Sequence, residues 1–190
     1  MDKKLKSLLA LAIAFTLGLG FSSCDDGNDD PTPQPEPEKI TTEFINSISF
    51  NKDFATYFEI TVELTKTDGS VSSTNVRNCP TKKWVDYGND IEYDVYMYKV
   101  TETTEVRPAQ TTLKVNYSYN GTLPQVDTIA CVIVPDFLVT SGNNQQPCSS
   151  SYGLVIDDMT MLDSVAEVFN QTFGNYVMKV DENGEVYIER

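Results

Sequence analysis

Seven residues carry most of the chemistry this chain offers: three cysteines, Cys79, Cys131 and Cys148, and four aromatics, Trp84, Tyr87, Tyr96 and Tyr98. Flat aromatic rings stack on sugar rings, and Trp84 and Tyr87 precede the stretch "IEYDVYMYKV" that holds Tyr96 and Tyr98. Alternation along that stretch sets Ile91, Tyr93, Val95 and Met97 on one face. Glu92, Asp94, Tyr96 and Tyr98 fall on the other, which is therefore expected to be wet. Rings flanked by carboxylates suit a glycan, although tyrosine is also an ordinary strand residue. The cysteines offer three possible single bridges. Cys79 in "RNCPT" and Cys148 in "QQPCSS" each sit beside a proline in a turn-like setting, while Cys131 in "TIACVIVP" has apolar neighbours on both sides. The context favours a Cys79–Cys148 disulfide with Cys131 as a buried thiol; the other two pairings stay open.

What is missing narrows the chemistry further. The chain has no histidine, which removes Ser-His-Asp and Cys-His nucleophile systems, the commonest general base and most catalytic zinc sites. Paired carboxylates of the glycosidase kind remain available, but spacing alone selects no pair. Two functional classes follow: a binding or interaction module for a glycan or protein ligand, and a small carboxylate-dependent hydrolase. The sequence asks for no cofactor and no metal. Residues 40–190 hold ten Lys/Arg against twenty-one Asp/Glu, a net −11, which repels phosphate backbones and argues against a nucleic-acid partner.

The elements that must position these side chains read mostly as strands. "FEITVEL" alternates Phe58, Ile60, Val62 and Leu64 with Glu59, Thr61 and Glu63, and Asp68-Gly69 follows as a hairpin signal. "TTLKVNYSY" puts Leu113, Val115, Tyr117 and Tyr119 on one face, Asn120-Gly121 turns the chain, and "TIACVIV" is expected to return as a strand apolar on both faces. Weaker strands are expected around 42–50, 70–77, 82–87 and 152–157. A helix is predicted over 158–173, with Leu162, Val165, Phe169 and Phe173 on one side, acidic residues at its start and Gly174 as its stop. A closing hairpin around Asn183-Gly184 completes the chain. The pattern predicts a mainly β, antiparallel β-sandwich-like domain over 40–190, the alternative being a lipocalin-like β-barrel.

The first thirty residues have a different character. Lys3, Lys4 and Lys6 precede an apolar run from Leu8 to Leu19, too short for a membrane span of about 20 residues. Phe21, Ser22 and Ser23 lead directly into Cys24, and Asp25, Asp26, Asp29 and Asp30 follow. The junction resembles the lipobox of bacterial lipoproteins, with Phe21 where leucine is usual. The acidic run is similar to the export signal of Bacteroidota surface lipoproteins; its adjacent carboxylates lack the alternation of an EF-hand loop. The resemblance implies a signal peptide over 1–23 and lipid attachment at Cys24. It also implies an acidic and proline-rich tether over 24–39, and a place on the outer membrane, at the cell surface, with the lipid as the membrane contact. Polyproline II geometry at ~3.1 Å per residue lets the fifteen residues 25–39 reach roughly 45 Å.

Overall fold

Alternation in the sequence becomes alternation in burial. In the computed structural model, which describes residues 39–190, β2 (Phe58–Thr65) buries Phe58, Ile60, Val62 and Leu64 completely and leaves Glu59, Thr61 and Glu63 half-buried. The remaining strands are β1 (Thr42–Asn51), β3 (Val71–Asn75), β4 (Thr81–Asp86), β5 (Ile91–Thr104), β6 (Ala109–Tyr119), β7 (Ile129–Ser141), β8 (Asn144–Ser149), β9 (Tyr152–Ile156), β10 (Asn175–Val180) and β11 (Val186–Glu189). Two helices join them, α1 (Lys52–Tyr57) and α2 (Leu162–Phe173), the latter led by a 3₁₀ turn at Met159–Met161. Cys24, Asp25, Asp26, Asp29 and Asp30 lie outside the described residues.

The strands form two open antiparallel sheets. One runs β4-β5-β1-β7-β8, with β9 also paired to β7; the other runs β11-β10-β6-β2-β3. Neither closes on itself, so the fold is a β-sandwich and the lipocalin-like barrel is set aside. Phe44, Ile48 and Phe50 from β1 and Ile133, Phe137 and Val139 from β7 meet Ile60, Leu64, Leu113, Tyr176 and Met178 from the facing sheet. Each such side chain contributes roughly 1.5–3 kcal/mol on burial. The core is drawn entirely from residues 44–180 within one compact unit, so this region has what it needs to fold alone.

Two features differ from the expectation. β6 and β7 do not form a hairpin: β6 is held between β2 and β10, and residues 120–128 carry the chain across to the other sheet. The segment around Cys148, expected as a turn, is strand β8. It returns along β7 through a two-residue turn in which Gly142 takes φ +58° and only Ser141 and Asn144 flank the loop.

The short helix α1 explains the site described next. β1 stops at Asn51 and the chain turns inward, carrying Phe54 between the sheets to within 4.8 Å of the Phe58 ring and 5.1 Å of the Phe169 ring on α2. β5 and β7 continue past the point where β1 leaves. Asn51 fills the vacated pairing position: its Nδ2 donates to the Ala130 carbonyl and its Oδ1 accepts from the Val132 amide, each at 2.8 Å. Asn170 of α2 treats β6 in the same way, exchanging two 2.8 Å hydrogen bonds with the Tyr117 backbone.

Candidate functional site

Residues 91–94 of β5 pair with β4 alone, so the β4–β5 hairpin projects beyond the frame set by β1. Its loop is held by Asp86, whose carboxylate accepts from the Asn89 side chain at 2.8 Å and the Gly88 amide at 3.0 Å. Those bonds, the Asn89 side chain first, keep the Asp86 carboxyl below the usual carboxylate range. Asp90 takes φ +54°, which closes the turn in the left-handed region that aspartate tolerates.

The hairpin has two unlike faces. On one, Lys83 bridges Glu92 at 2.9 Å and Asp94 at 3.2 Å. On the other, Trp84 and Tyr93 are direct cross-strand partners with ring centroids 6.0 Å apart and planes tilted by 31°. This aromatic face looks across a groove of about 310 Å³ toward Ala130 and Val132 of β7, Gly153 of β9 and Ser151 just before it, with Asp86 and Asn89 at the rim. The volume lies at the small end of the range for ligand sites, about 300–1,000 Å³. The groove thus offers three aromatic rings, Trp84, Tyr93 and Tyr152, the Asn89 amide and the hydroxyls of Ser151 and the two tyrosines, and Asp86 is the one carboxylate among the described lining residues.

The four aromatics singled out from the sequence separate in space. Trp84 lies in the groove, and Tyr87 is 91 % exposed on the hairpin loop. Tyr96 and Tyr98 do share a face with Glu92 and Asp94, but that face changes surroundings partway along the strand. Once β5 meets β1, opposite Phe50 and Ile48, it turns into the sandwich interior. Tyr98 is 7 % exposed, and Tyr96 lies half-buried with the Lys52 ammonium 5.8 Å from its ring centre. The expectation of a wet Tyr96–Tyr98 face is therefore corrected. Tyr93 was the residue missed, and its signal was present: positions 84 and 93 are symmetric about the loop 87–90, which makes them partners in a regular hairpin.

The expected disulfide is also corrected. Cys79, Cys131 and Cys148 are all free thiols. Cys79 precedes β4 at one edge of its sheet and Cys148 lies on β8 at the other. Four strand spacings of about 4.8 Å separate those edges by roughly 19 Å, against the ~7 Å limit between Cα atoms that a bridge allows. Cys131 is buried on the inner face of β7, and burial pushes its thiol up to about 12, far from a nucleophile's range.

A larger hollow of about 470 Å³ lies on the outer face of the second sheet near Tyr187. Its Lys179 and Glu189 close on each other in a 2.6 Å ion pair, which leaves a single ring and no free polar partner of that pair. No cluster of three or more His, Cys, Asp or Glu side chains suited to a metal occurs among the described residues. No protein-family model, curated protein or solved structure matches the chain.

Proposed function

We propose that this chain is a binding module held at the outer membrane, on the cell surface, by lipid on Cys24, and that the groove beside Trp84 and Tyr93 takes a glycan. The observation that carries the reading is the Trp84–Tyr93 pair, two adjacent rings presented on a braced hairpin beside hydrogen-bonding groups. Sugar rings offer such a surface both an apolar face and hydroxyls. Binding is favoured over hydrolysis because the usual glycosidase route needs two flanking carboxylates. Asp86 is one, and its oxygens are already bonded within the turn. The placement of the groove also suits a tethered receptor. The chain comes in at Thr42, and the groove lies past Asn51 at the other end of the ten-residue β1, about 30 Å away.

Trp84 is the only tryptophan of the chain, so its fluorescence reports on the groove directly. Residues 39–190, screened on a glycan array and then titrated with the sugars retained, should show a saturable change in that emission. Trp84→Ala should lose the binding without loss of β-sheet circular dichroism, while Tyr98→Phe, inside the sandwich, should leave affinity unchanged. An array without hits, or binding indifferent to Trp84→Ala, removes the glycan reading. The anchor is tested apart: Cys24→Ser should abolish labelling by a fatty-acid analogue in cells, and unchanged labelling would sink that half of the proposal.

A further inference from the structure

Every open sheet has edges with unpaired backbone groups, and most proteins blunt them with charge, proline or brevity. Three edges of this sandwich follow the rule, and a fourth, β3, is polar without charge or proline. β4 carries Lys82 and Lys83, β8 carries Pro147 among amides, β3 is Ser72–Asn75 after a single valine, and β11 has four residues ending at Glu189. β9 does not. It reads Tyr-Gly-Leu-Val-Ile, with neither charge nor proline, and pairs with β7 on one side only. Leu154 is 44 % exposed and Val155 63 % exposed. On the inner side of this edge, Leu154, Val168 and Phe173 line a second groove of about 520 Å³ between β9 and α2.

We propose that β9 pairs with β9 of a second copy, antiparallel about its midpoint Leu154. Two independent features make the strand complementary to itself. The first is shape. That register sets Val155 of each copy opposite Gly153 of the other, and a Cβ built at Gly153 would meet nothing within 4 Å, so each valine has an open space to enter. Leu154 meets its own equivalent over the groove beside α2. The second feature is charge. At the Tyr152 end, the Arg190 guanidinium donates to the Tyr152 hydroxyl and lies 4.9 Å from its ring centre, with no ion pair among the described residues. At the other end, exposed Asp157 follows Ile156. Antiparallel pairing sets the Asp157 of one copy opposite Ser151 of the other, one residue from Tyr152 and the end of the edge where Arg190 lies, twice about the dyad.

An edge contact of this size gives a weak dimer, and the test is set accordingly. Sedimentation of residues 39–190 from about 10 μM to about 1 mM at ordinary salt should show the mass rising from one domain toward two. Gly153→Val fills the space that Val155 of the other copy needs, at a position where an added Cβ meets nothing within 4 Å and no left-handed backbone is imposed. It should weaken association at least tenfold with an unchanged melting curve. Arg190→Glu should weaken it as well, and Arg190→Glu with Asp157→Arg should restore it. A single domain at every concentration overturns the proposal, as does a dimer that survives Gly153→Val or a charge swap that fails to restore it.

Discussion

The difference in alkaline stability between the natural sequence and a Cys131→Ala variant should follow one thiol. Cys131 lies on the inner face of β7, and burial raises its pKa from 9.0 to about 12. The unfolded chain ionises this group near pH 9, whereas the folded domain resists until about 12. The thiol therefore leaves stability untouched below pH 9 and lowers it as pH rises from 9 to 12. At ~1.36 kcal/mol per pH unit, the loss at pH 11 is about 2.7 kcal/mol, an upper figure for a site that relaxes nowhere. Cys131→Ala removes the ionisable group and leaves a small void, at a cost of about 1–1.5 kcal/mol where pH has no effect. The variant should be the weaker protein at pH 8 and the stronger one at pH 11, the two curves crossing about one unit above pH 9. Tyr176, pushed to about 12 by burial, adds its own alkaline decline above pH 10, but it does so in both proteins and cancels from the difference. Urea unfolding of residues 39–190, followed by circular dichroism across this range, measures the crossing. Curves that stay parallel would refute the reasoning, since they would mean that water reaches the thiol or that β7 gives way before it ionises.

Asn51→Ala should lower stability by about 2–4 kcal/mol, because it strands the Ala130 carbonyl and the Val132 amide as well as losing two hydrogen bonds; urea midpoints at fixed slope measure it. Gly174→Ala should be costly, by about 1–3 kcal/mol, since its Cβ would lie 2.1 Å from the Asn170 backbone oxygen and the end of α2 would have to shift; the melting temperature should fall correspondingly. Unfolding residues 39–190 without reductant should expose three alkylatable thiols by mass spectrometry, and a count of one would mean that a bridge forms after all.

The strands were legible wherever one side of the chain stays wet for its whole length, as in β2, because a period of two then survives in the residue types. The helix α2 and the final hairpin were legible for similar reasons, through an apolar stripe and a strong turn dipeptide. β5 was legible as a strand but not in what its faces meet, since its fourteen residues cross from a free hairpin into the sandwich, and one face holds Glu92 in water and Tyr98 in the core. Sheet membership was hidden as well. Asn120-Gly121 marks a turn whether the next strand pairs alongside or crosses over, and only the partners of β6 decide which. The cysteines failed for that same reason: local context identified Cys131 as buried, but the distance between Cys79 and Cys148 depends on the order of strands. Half of the groove was visible in Trp84; its opposite wall comes from β7 and β9, more than forty residues away.

The direction of β9 has a consequence for where two chains can meet. β9 lies on β7 level with the end of β1, away from Thr42, and runs parallel to β1 because both are antiparallel to β7. Pairing that reverses direction about Leu154 turns the second domain end over end, so the two Thr42 ends point away from each other. Chains held by their amino-terminal ends on one flat surface stand the same way up and must bend round to make this contact. Chains on two facing surfaces meet it head-on. Under the pairing proposed above, this uncharged five-residue strand is a contact that depends on the orientation of its neighbour, and it favours domains tethered to facing surfaces over neighbours on one.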